Sequence, residues 1–179
     1  MRVIAGSAKG KSLQAPAGRE TTRPTSDKVK EAIFGSIQFE LEGSRVLDLF
    51  AGSGALGIEA LSRGAAQAVL VDASREAVQA MRANLAYTGL LERAEVMSMD
   101  YARALARLYT PFDFIFLDPP YRSDLYAAAI AGIHARGLLA AEGLLIVEHD
   151  GQLSLEGEKI LKQKRYGKTF VSYIGGVER

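Results

Sequence analysis

The sequence contains no cysteine among its 179 residues and only two histidines, His134 and His149. Disulfides, thiolate metal sites and iron–sulfur clusters are therefore excluded, as is any methyl transfer to a pyrimidine C5 that begins with attack by a thiolate. So few histidines also predict that there is no metal site. No apolar run approaches the ~18 residues of a membrane span, and the stretch between Arg2 and Lys9 is too short for a signal peptide. We therefore expect a cytoplasmic protein without a membrane partner.

Positive and negative charges nearly cancel over the whole chain, but they are unevenly distributed along it. The formal net charge is only +1, yet residues 1–30 carry seven basic and two acidic side chains, and residues 159–168 carry five basic and no acidic ones. The rest of the chain consequently has a net charge of −9. This segregation predicts a basic face suited to phosphates on an acidic body. Two solvated segments that never converge are the alternative.

The apolar pattern predicts a single domain over residues 1–179. A β-hairpin with a basic, glycine-rich tip is predicted over residues 1–15, and a helix is predicted from about Ser26 to before Gly43. Strands and helices then alternate, which predicts a parallel sheet with right-handed crossovers. The predicted strands are 46–50, 69–72, 94–97, 112–117 and 143–148, and two further strands, 158–164 and 168–174, have no helix between them and predict an antiparallel hairpin at the sheet edge.

A G-x-G-x-x-G motif starts at Gly52, directly after the buried strand predicted over residues 46–50. With Asp72 located 20 residues past Gly52, the spacing matches the dinucleotide fingerprint. Asp48 argues otherwise, because its carboxylate would repel a pyrophosphate and attract an ammonium group. The pattern favours a ligand with a ribose and a cationic amino-acid tail, such as S-adenosylmethionine. A nicotinamide oxidoreductase is the alternative, although the sequence shows no second mononucleotide half.

Four aspartates, Asp48, Asp72, Asp100 and Asp118, each end or follow a predicted strand. Ligands of a doubly wound sheet bind outside the carboxyl ends of its strands. We therefore expect these four side chains to line one crevice.

The most specific motif is Asp118-Pro119-Pro120-Tyr121, which follows the fourth strand. An exocyclic amino group is a poor nucleophile because its lone pair is delocalised into the ring. The Asp118 carboxylate and the Pro119 carbonyl could each accept one N–H and so direct the lone pair at a methyl donor, while Tyr121 stacks on the base. A proline turn with a packing tyrosine is the structural alternative.

The first motif, from Asp48 to Gly54, resembles that of the class I, Rossmann-like methyltransferases. The Asp-Pro-Pro-Tyr motif resembles the signature of methyltransferases that act on amino groups of adenine, guanine or glutamine. A fuller resemblance, to the RsmD family of bacterial ribosomal RNA methyltransferases, is carried by residues 2–6, 10–11, 23–34, 118–121 and 166–169.

This resemblance implies an α/β, Rossmann-like fold with a seven-stranded, mostly parallel sheet, a C-terminal antiparallel hairpin and an N-terminal β-hairpin extension. Residues 1–25 would form the hairpin and basic RNA-binding extension, and residues 26–179 the core. The implied reaction is methyl transfer from S-adenosylmethionine to N2 of a guanosine in 16S ribosomal RNA, within the small ribosomal subunit or an assembly intermediate, by a monomer. Adenine-N6 methylation, protein-glutamine methylation and a cofactor-free RNA-binding module are the alternatives.

The resemblance and the motifs together give the candidate site residues. The catalytic candidates are Asp118, Pro119 and Tyr121. The cofactor-binding candidates are Asp48, Phe50, Gly52, Gly54, Asp72, Ala73, Asp100, Tyr101 and Thr25. The RNA-binding candidates are Lys9, Lys11, Arg23, Lys164 and Arg165. His149 is interpreted as a structural residue rather than as a base.

Overall fold

The structure, a computed structural model, describes residues 1–18, 25–120 and 123–176. These residues form seven strands, namely β1 (Arg45–Asp48), β2 (Gln67–Asp72), β3 (Ala94–Ser98), β4 (Phe112–Leu117), β5 (Leu139–His149), β6 (Ile160–Tyr166) and β7 (Thr169–Gly175). They also form five α-helices, namely α1 (Asp27–Ile37), α2 (Ala55–Ser62), α3 (Arg75–Thr88), α4 (Tyr101–Arg107) and α5 (Ser123–Ala135). None of these described helices is long and apolar enough to cross a bilayer.

The strands make one sheet in the order β3-β2-β1-β4-β5-β7-β6. Strands β1 to β5 are parallel, whereas β7 runs antiparallel to β5 and β6 runs antiparallel to β7. The predicted seven-stranded, mostly parallel sheet with a C-terminal antiparallel hairpin is therefore confirmed. The strand order reverses beside β1, where β2 and β4 flank it on either side, and this switch point opens a crevice at the carboxyl ends of the strands.

Both faces of the sheet are buried, which explains the nearly continuous apolar runs of its central strands. One core packs α1, α2 and α3 against one face and includes a contact of 5.5 Å between the ring centroids of Phe34 and Phe116. The second core packs α4 and α5 against the opposite face around Leu47, Ile115 and Val147. Strand β1 contributes to both cores, so the loop that follows it starts from the most buried part of the sheet.

The helix starts follow the capping residues in the sequence. Ser26 accepts the N–H of Val29 at the start of α1, and Ser74 accepts the N–H of Ala77 at the start of α3. Helix α1 nevertheless ends at Ile37, several residues before Gly43. The chain turns over residues 38–40 because this brings Leu41, which is fully buried, back into the core.

The N-terminal segment forms a short, irregular hairpin that also contacts α2. Arg2 and Ser12 form an isolated antiparallel bridge, and the N–H groups of Val3 and Leu13 donate to the carbonyls of Lys11 and Met1, both at 2.9 Å. The backbone N–H groups of Ile4 and Ala5 instead donate to the carboxylate of Glu59 on α2, at 2.8 and 3.1 Å. The hairpin is therefore paired within itself and also attached to α2 through its backbone.

Gly6 fits this docking because it has no side chain. Its φ is +86°, and a Cβ added there would lie 1.8 Å from the carbonyl oxygen of Ser62, the last residue of α2. The N–H of Ser7 donates to the same carbonyl at 2.8 Å. The segment thereby satisfies one of the free carbonyls at the end of α2.

Glu59 is also the centre of a buried ion cluster. Its carboxylate lies 3.3 Å from Nζ of Lys30 and 2.9 Å from Nε of Arg63, and the side chains of Glu59 and Lys30 are both fully buried. Lys30 also donates to the backbone carbonyl of Arg2. The cluster therefore joins α1, α2 and the N-terminal segment.

Strand β5 begins four residues earlier than predicted, at Leu139 rather than Gly143. Its pairing with β4 changes register between Phe112 and Phe114. A Cβ on Gly143 would lie 3.0 Å from the carbonyl oxygen of Asp113, so the glycine permits this irregularity instead of starting the strand.

Candidate active site

A cleft of about 1000 Å³ opens at the carboxyl ends of the strands. Eight of the residues predicted for the site line it: Phe50, Gly52, Asp72, Ala73, Asp100, Tyr101, Asp118 and Pro119. The loops after β1 and β4 are neighbours because these two strands pair in parallel, and the N–H of Leu49 donates to the carbonyl of Phe116 at 3.2 Å. Tyr121 and Arg23 lie outside the described residues.

The loop after β1 is tied to the end of β2. The N–H of Gly52 donates to Oδ2 of Asp72 at 2.9 Å, and the N–H of Ser74 donates to Oδ1 at 2.9 Å. A Cβ on Gly52 would meet no atom within 4 Å, so its backbone borders open space in the cleft. Asp72 therefore orders the glycine loop, and it also lines the cleft.

Asp48 lies beneath the cleft and does not line it. Its side chain is only 3% exposed, and Oδ2 accepts the N–H of Gly57 at 3.1 Å. Burial raises its pKa from 3.8 to about 7, although the hydrogen bond from Gly57 opposes this shift, and the charge of Asp72 adds to it. A cation bound above Asp48 would favour the ionised carboxylate.

The second and third glycines of the motif serve packing. A Cβ on Gly57 would approach Cδ2 of Leu70 to 2.8 Å, and one on Gly54, where φ is +84°, would lie 3.1 Å from Cγ of Met81. Predicted to bind a cofactor, Gly54 is buried behind the loop and does not line the cleft. It brings α2 close to the sheet.

Two aromatic rings border one end of the cleft. The centroids of Phe50 and Tyr101 are 5.5 Å apart, with their planes tilted by 44°. Asp100 caps α4 by accepting the N–H of Arg103 at 2.9 Å, and its side chain is exposed beside these rings. This arrangement suits a flat, polar-edged group such as an adenine.

The other end of the cleft is built around Asp118. Oγ of Thr25 donates to Oε2 of Glu148 at 2.7 Å and lies 3.4 Å from Oδ2 of Asp118. Burial and the charges of Glu148 and Asp48 raise the pKa of Asp118, while the hydrogen bond from Thr25 lowers it. Thr25, for which contact with the cofactor stays a prediction, contacts these two carboxyl groups.

The lining is strongly acidic. Its carboxyl side chains are Asp72, Asp100, Asp118, Glu148 and Asp150, and its only lysines among the described residues are Lys28 and Lys168. A pyrophosphate would be repelled by such a surface, whereas a ligand with a ribose, an amino group and a sulfonium would be attracted. The buried carboxylate of Asp48 and the open backbone of Gly52 also fit S-adenosylmethionine.

The part of the chain that the structure describes contains no group of three or more His, Asp or Glu residues that could hold a metal.

The tip of the N-terminal segment lies at the opposite edge of the sheet from the cleft. Ala8 donates to Oγ of Ser62 at the end of α2, which rises about 1.5 Å per residue and so ends ~12 Å from its start beside the cleft. Lys9 follows in this tip, and Lys11 donates to the carbonyl of Tyr87 near the end of α3, at 3.1 Å. The structure does not bring these two predicted RNA-binding lysines to the cleft.

The second basic segment is closer. Lys164 and Arg165 are exposed near the end of β6, directly before Tyr166, Gly167 and Lys168, which line the cleft. Gly167 has a φ of +62° and begins the two-residue turn to β7, one residue later than the turn at Tyr166-Gly167 that the sequence pattern predicts. The cations therefore flank the mouth of the acidic cleft.

His149 is held as a neutral ring. Its Nδ1 accepts the N–H of Gly151 at 3.1 Å, so Nε2 carries the proton and donates to Oγ of Ser172 at 2.8 Å. Burial lowers its pKa, and its ring stacks on Phe170 with a centroid distance of 5.7 Å. These contacts support its interpretation as a structural residue.

Sequence reasoning did not assign three residues that shape the site. Glu148 lines the cleft near the end of β5, and the O–H of Tyr126 donates to its backbone carbonyl at 2.7 Å. Asn84 on α3 donates to the carbonyls of Ser53 and Gln14 at 2.9 and 3.0 Å, which pins the glycine loop to the N-terminal segment. Glu148 could have been found by the rule that selected the aspartates, since it follows an apolar strand.

Residues 1–175 match a family model described as Conserved hypothetical protein 95. YlbH of Bacillus subtilis, provisionally named an rRNA methyltransferase, is 45% identical over 179 residues, which cover 96% of this chain and 97% of that protein. Ribosomal RNA small subunit methyltransferase D of Escherichia coli is 37% identical over 175 residues, which cover 93% of this chain and 87% of that protein. The solved structure of yhhF from Escherichia coli covers 99% of both chains, with a TM-score of 0.88 and 33% identity. The matched length and these identities show that the chain belongs to the RsmD family of methyltransferases.

Proposed function

We propose that the protein transfers a methyl group from S-adenosylmethionine to the exocyclic N2 of a guanosine in 16S ribosomal RNA. The observation that carries this proposal is the shared cleft: the partly buried Asp118 carboxyl and Pro119 border the same space as Gly52 and Asp72. The name of the Escherichia coli relative supports ribosomal RNA of the small subunit as the substrate. The proposed substrate form is the small subunit or an assembly intermediate, acted on by a monomer.

The residues proposed to hold the cofactor follow from the cleft's chemistry. The backbone at Gly52 would hold the methionine moiety, with its ammonium group above the buried Asp48 carboxylate, while Asp72 would hold the ribose hydroxyls and Asp100 with Tyr101 the adenine. S-adenosylmethionine bound there supplies an electrophilic methyl group. A bound ammonium group would offset part of the free-energy cost of ionising the buried Asp48.

The residues at the other end of the cleft would prepare the amino group. The Asp118 carboxylate and the Pro119 carbonyl would each accept one N–H from N2, which turns the nitrogen lone pair away from both acceptors and towards the cofactor end. The orientation of these acceptors is fixed before the base arrives, which makes them more effective than the same groups in water. Tyr121 as a stacking partner for a flipped-out base stays a prediction.

Transfer of labelled methyl from S-adenosylmethionine to ribosomal subunits lacking the modification, followed by nucleoside analysis, tests the reaction. Asp118→Ala should abolish transfer while the affinity for S-adenosylhomocysteine, measured by calorimetry, stays within about twofold. Asp113→Ala, at the exposed start of the same strand, is the matched control and should leave turnover near wild type. Loss of cofactor affinity and turnover together in Asp118→Ala would contradict the division of the site. Label found on adenosine would support adenine-N6 methylation, and label found on glutamine would support protein-glutamine methylation. If no RNA or protein accepts the methyl group, the cofactor-free RNA-binding module is the remaining alternative.

The RNA itself is proposed to enter over Lys164 and Arg165, because these cations flank the mouth of the cleft. Reversing both charges to glutamate should weaken subunit binding and lower the slope of log K against log salt concentration by about 1 for each phosphate that the variant no longer binds. Reversing Lys9 and Lys11, which lie away from the cleft, should change binding less. Equal effects of the two double variants would contradict this path for the RNA.

A further inference from the structure

Glu148 stands beside Asp118 at the ends of two paired strands. Leu117 of β4 pairs with Val147 of β5, so the next residue on each strand brings the two carboxyl groups side by side. Neighbouring strands are about 4.8 Å apart, which is within the width of a purine base. Both side chains line the cleft, yet the proposed reaction so far uses only Asp118.

The two carboxyl groups also point to the same face of the sheet. Side chains alternate along a strand, and Phe116 and Ile146, two residues before Asp118 and Glu148, pack in the core that α1 covers. Thr25, just before α1, accordingly reaches both groups with one hydroxyl, at 2.7 Å from Glu148 and 3.4 Å from Asp118. The site therefore holds two neighbouring carboxyl groups with one hydroxyl that contacts both.

The number of acceptors matters because guanine and adenine differ on the edge that carries the amino group. Guanine presents three N–H bonds there, two on N2 and one on N1. Adenine presents two N–H bonds on N6 and a lone pair on N1. Asp118 and Pro119 are enough for an amino group of either base, so a third acceptor decides between them. A carboxylate facing the N1 lone pair of adenine would leave two acceptors unpaired in a buried site.

We propose that Glu148 accepts the N1–H of the target base and so makes the site specific for guanine over adenine. This inference rests on the proposed function. Thr25 acts as a positioning residue, because its hydroxyl fixes the Glu148 carboxylate before the base arrives. The backbone of Glu148 is held in turn by the O–H of Tyr126. Three N–H donors would also reduce the repulsion between two neighbouring carboxylates, which water-excluded burial otherwise makes costly.

A base analogue separates recognition of N1 from the chemistry at N2. 2-Aminopurine keeps the amino group at position 2, has a lone pair in place of N1–H and also lacks the O6 carbonyl. The loss of preference in Glu148→Gln, compared with its control, is therefore the result that reports on N1. We would reconstitute subunits with guanine or 2-aminopurine at the nucleotide that the wild-type protein methylates. The measurement is kcat/KM for labelled methyl transfer with wild type, Glu148→Gln and Glu142→Gln. Glu142 is exposed on the same strand and serves as the matched charge control.

Wild type and Glu142→Gln should prefer guanine by about 10- to 100-fold, which is the range expected for one hydrogen bond to a charged acceptor. Glu148→Gln should lose most of this preference, because its amide can donate N–H to the lone pair of 2-aminopurine. Its affinity for S-adenosylhomocysteine and its melting temperature report on the fold independently. An unchanged preference in a folded Glu148→Gln would overturn the inference, as would equal use of both bases by wild type. Absence of transfer to guanine by wild type would instead refute the proposed function.

Discussion

Replacing the buried Glu59 with glutamine should destabilise the protein more than the same substitution at an exposed glutamate. The substitution leaves the fully buried ammonium of Lys30 without its anion and replaces one carboxylate oxygen, which accepts a backbone N–H from Ile4 or Ala5, with an NH₂ donor. Removing one partner of a buried pair costs about 3–5 kcal/mol. For a chain of this length each kcal/mol lowers the melting temperature by about 2–4 °C, so we expect a fall of roughly 6–20 °C.

Thermal unfolding followed by circular dichroism measures this change, and Glu31→Gln is its control. Glu31 is exposed on α1 and adjacent to Lys30 in sequence, so its loss should shift the melting temperature by about 2 °C or less. Hydrogen exchange locates the effect: the amides of Ile4 and Ala5 should lose protection in Glu59→Gln. If the two variants have the same melting temperature, the ion cluster does not stabilise the N-terminal segment. The expected cost of leaving Lys30 buried without its anion would then be wrong.

Two further predictions concern a titrating group and a glycine. Because burial raises the pKa of Asp48 from 3.8 to about 7, its stabilising contribution is complete below about pH 4 and is lost as pH rises through 7. In urea unfolding at pH 8, ligand-free Asp48→Asn should therefore exceed wild type in stability by up to about 4 kcal/mol, with no gain at pH 4; equal midpoints at pH 8 would contradict this. Gly6→Ala should lower the melting temperature far more than Gly10→Ala, since both have positive φ but only Gly6 faces a carbonyl at 1.8 Å; similar melting temperatures would exclude the steric reason.

The sheet could be predicted from the sequence because its signals are local. Buried strands appear as short apolar runs, and Ser26 and Ser74 mark helix starts within one residue. The same holds for the cleft, since Asp72 and Asp118 follow strands whose carboxyl ends meet at one edge. To predict which side chains lie together at the strand ends, only the order of the strands and helices along the chain is needed.

Pairings between distant side chains could not be predicted. Glu59 and Lys30 each have the appearance of an exposed helix residue, and only the folded chain brings them together with the amides of the N-terminal segment. That interaction attaches the N-terminal hairpin to α2, which the hairpin pattern alone does not predict. In the same way, nothing local distinguishes Lys9, at the far edge of the sheet, from Lys164, near the cleft. Such differences depend on long-range packing, which a residue pattern does not contain.

The exposed strand β6 borders the sheet with Lys162, Lys164 and Arg165, and Leu161 on it is 56% exposed. An uncovered strand edge can add a strand from another molecule, and lysines are a common protection against this self-association. We therefore expect the cations proposed to meet phosphates to disfavour strand pairing between copies of the protein as well. Replacing these cations with apolar residues should promote aggregation, and a loss of activity would then not report on RNA binding. Substitutions that reverse the charge keep the strand edge charged and so test nucleic-acid affinity alone.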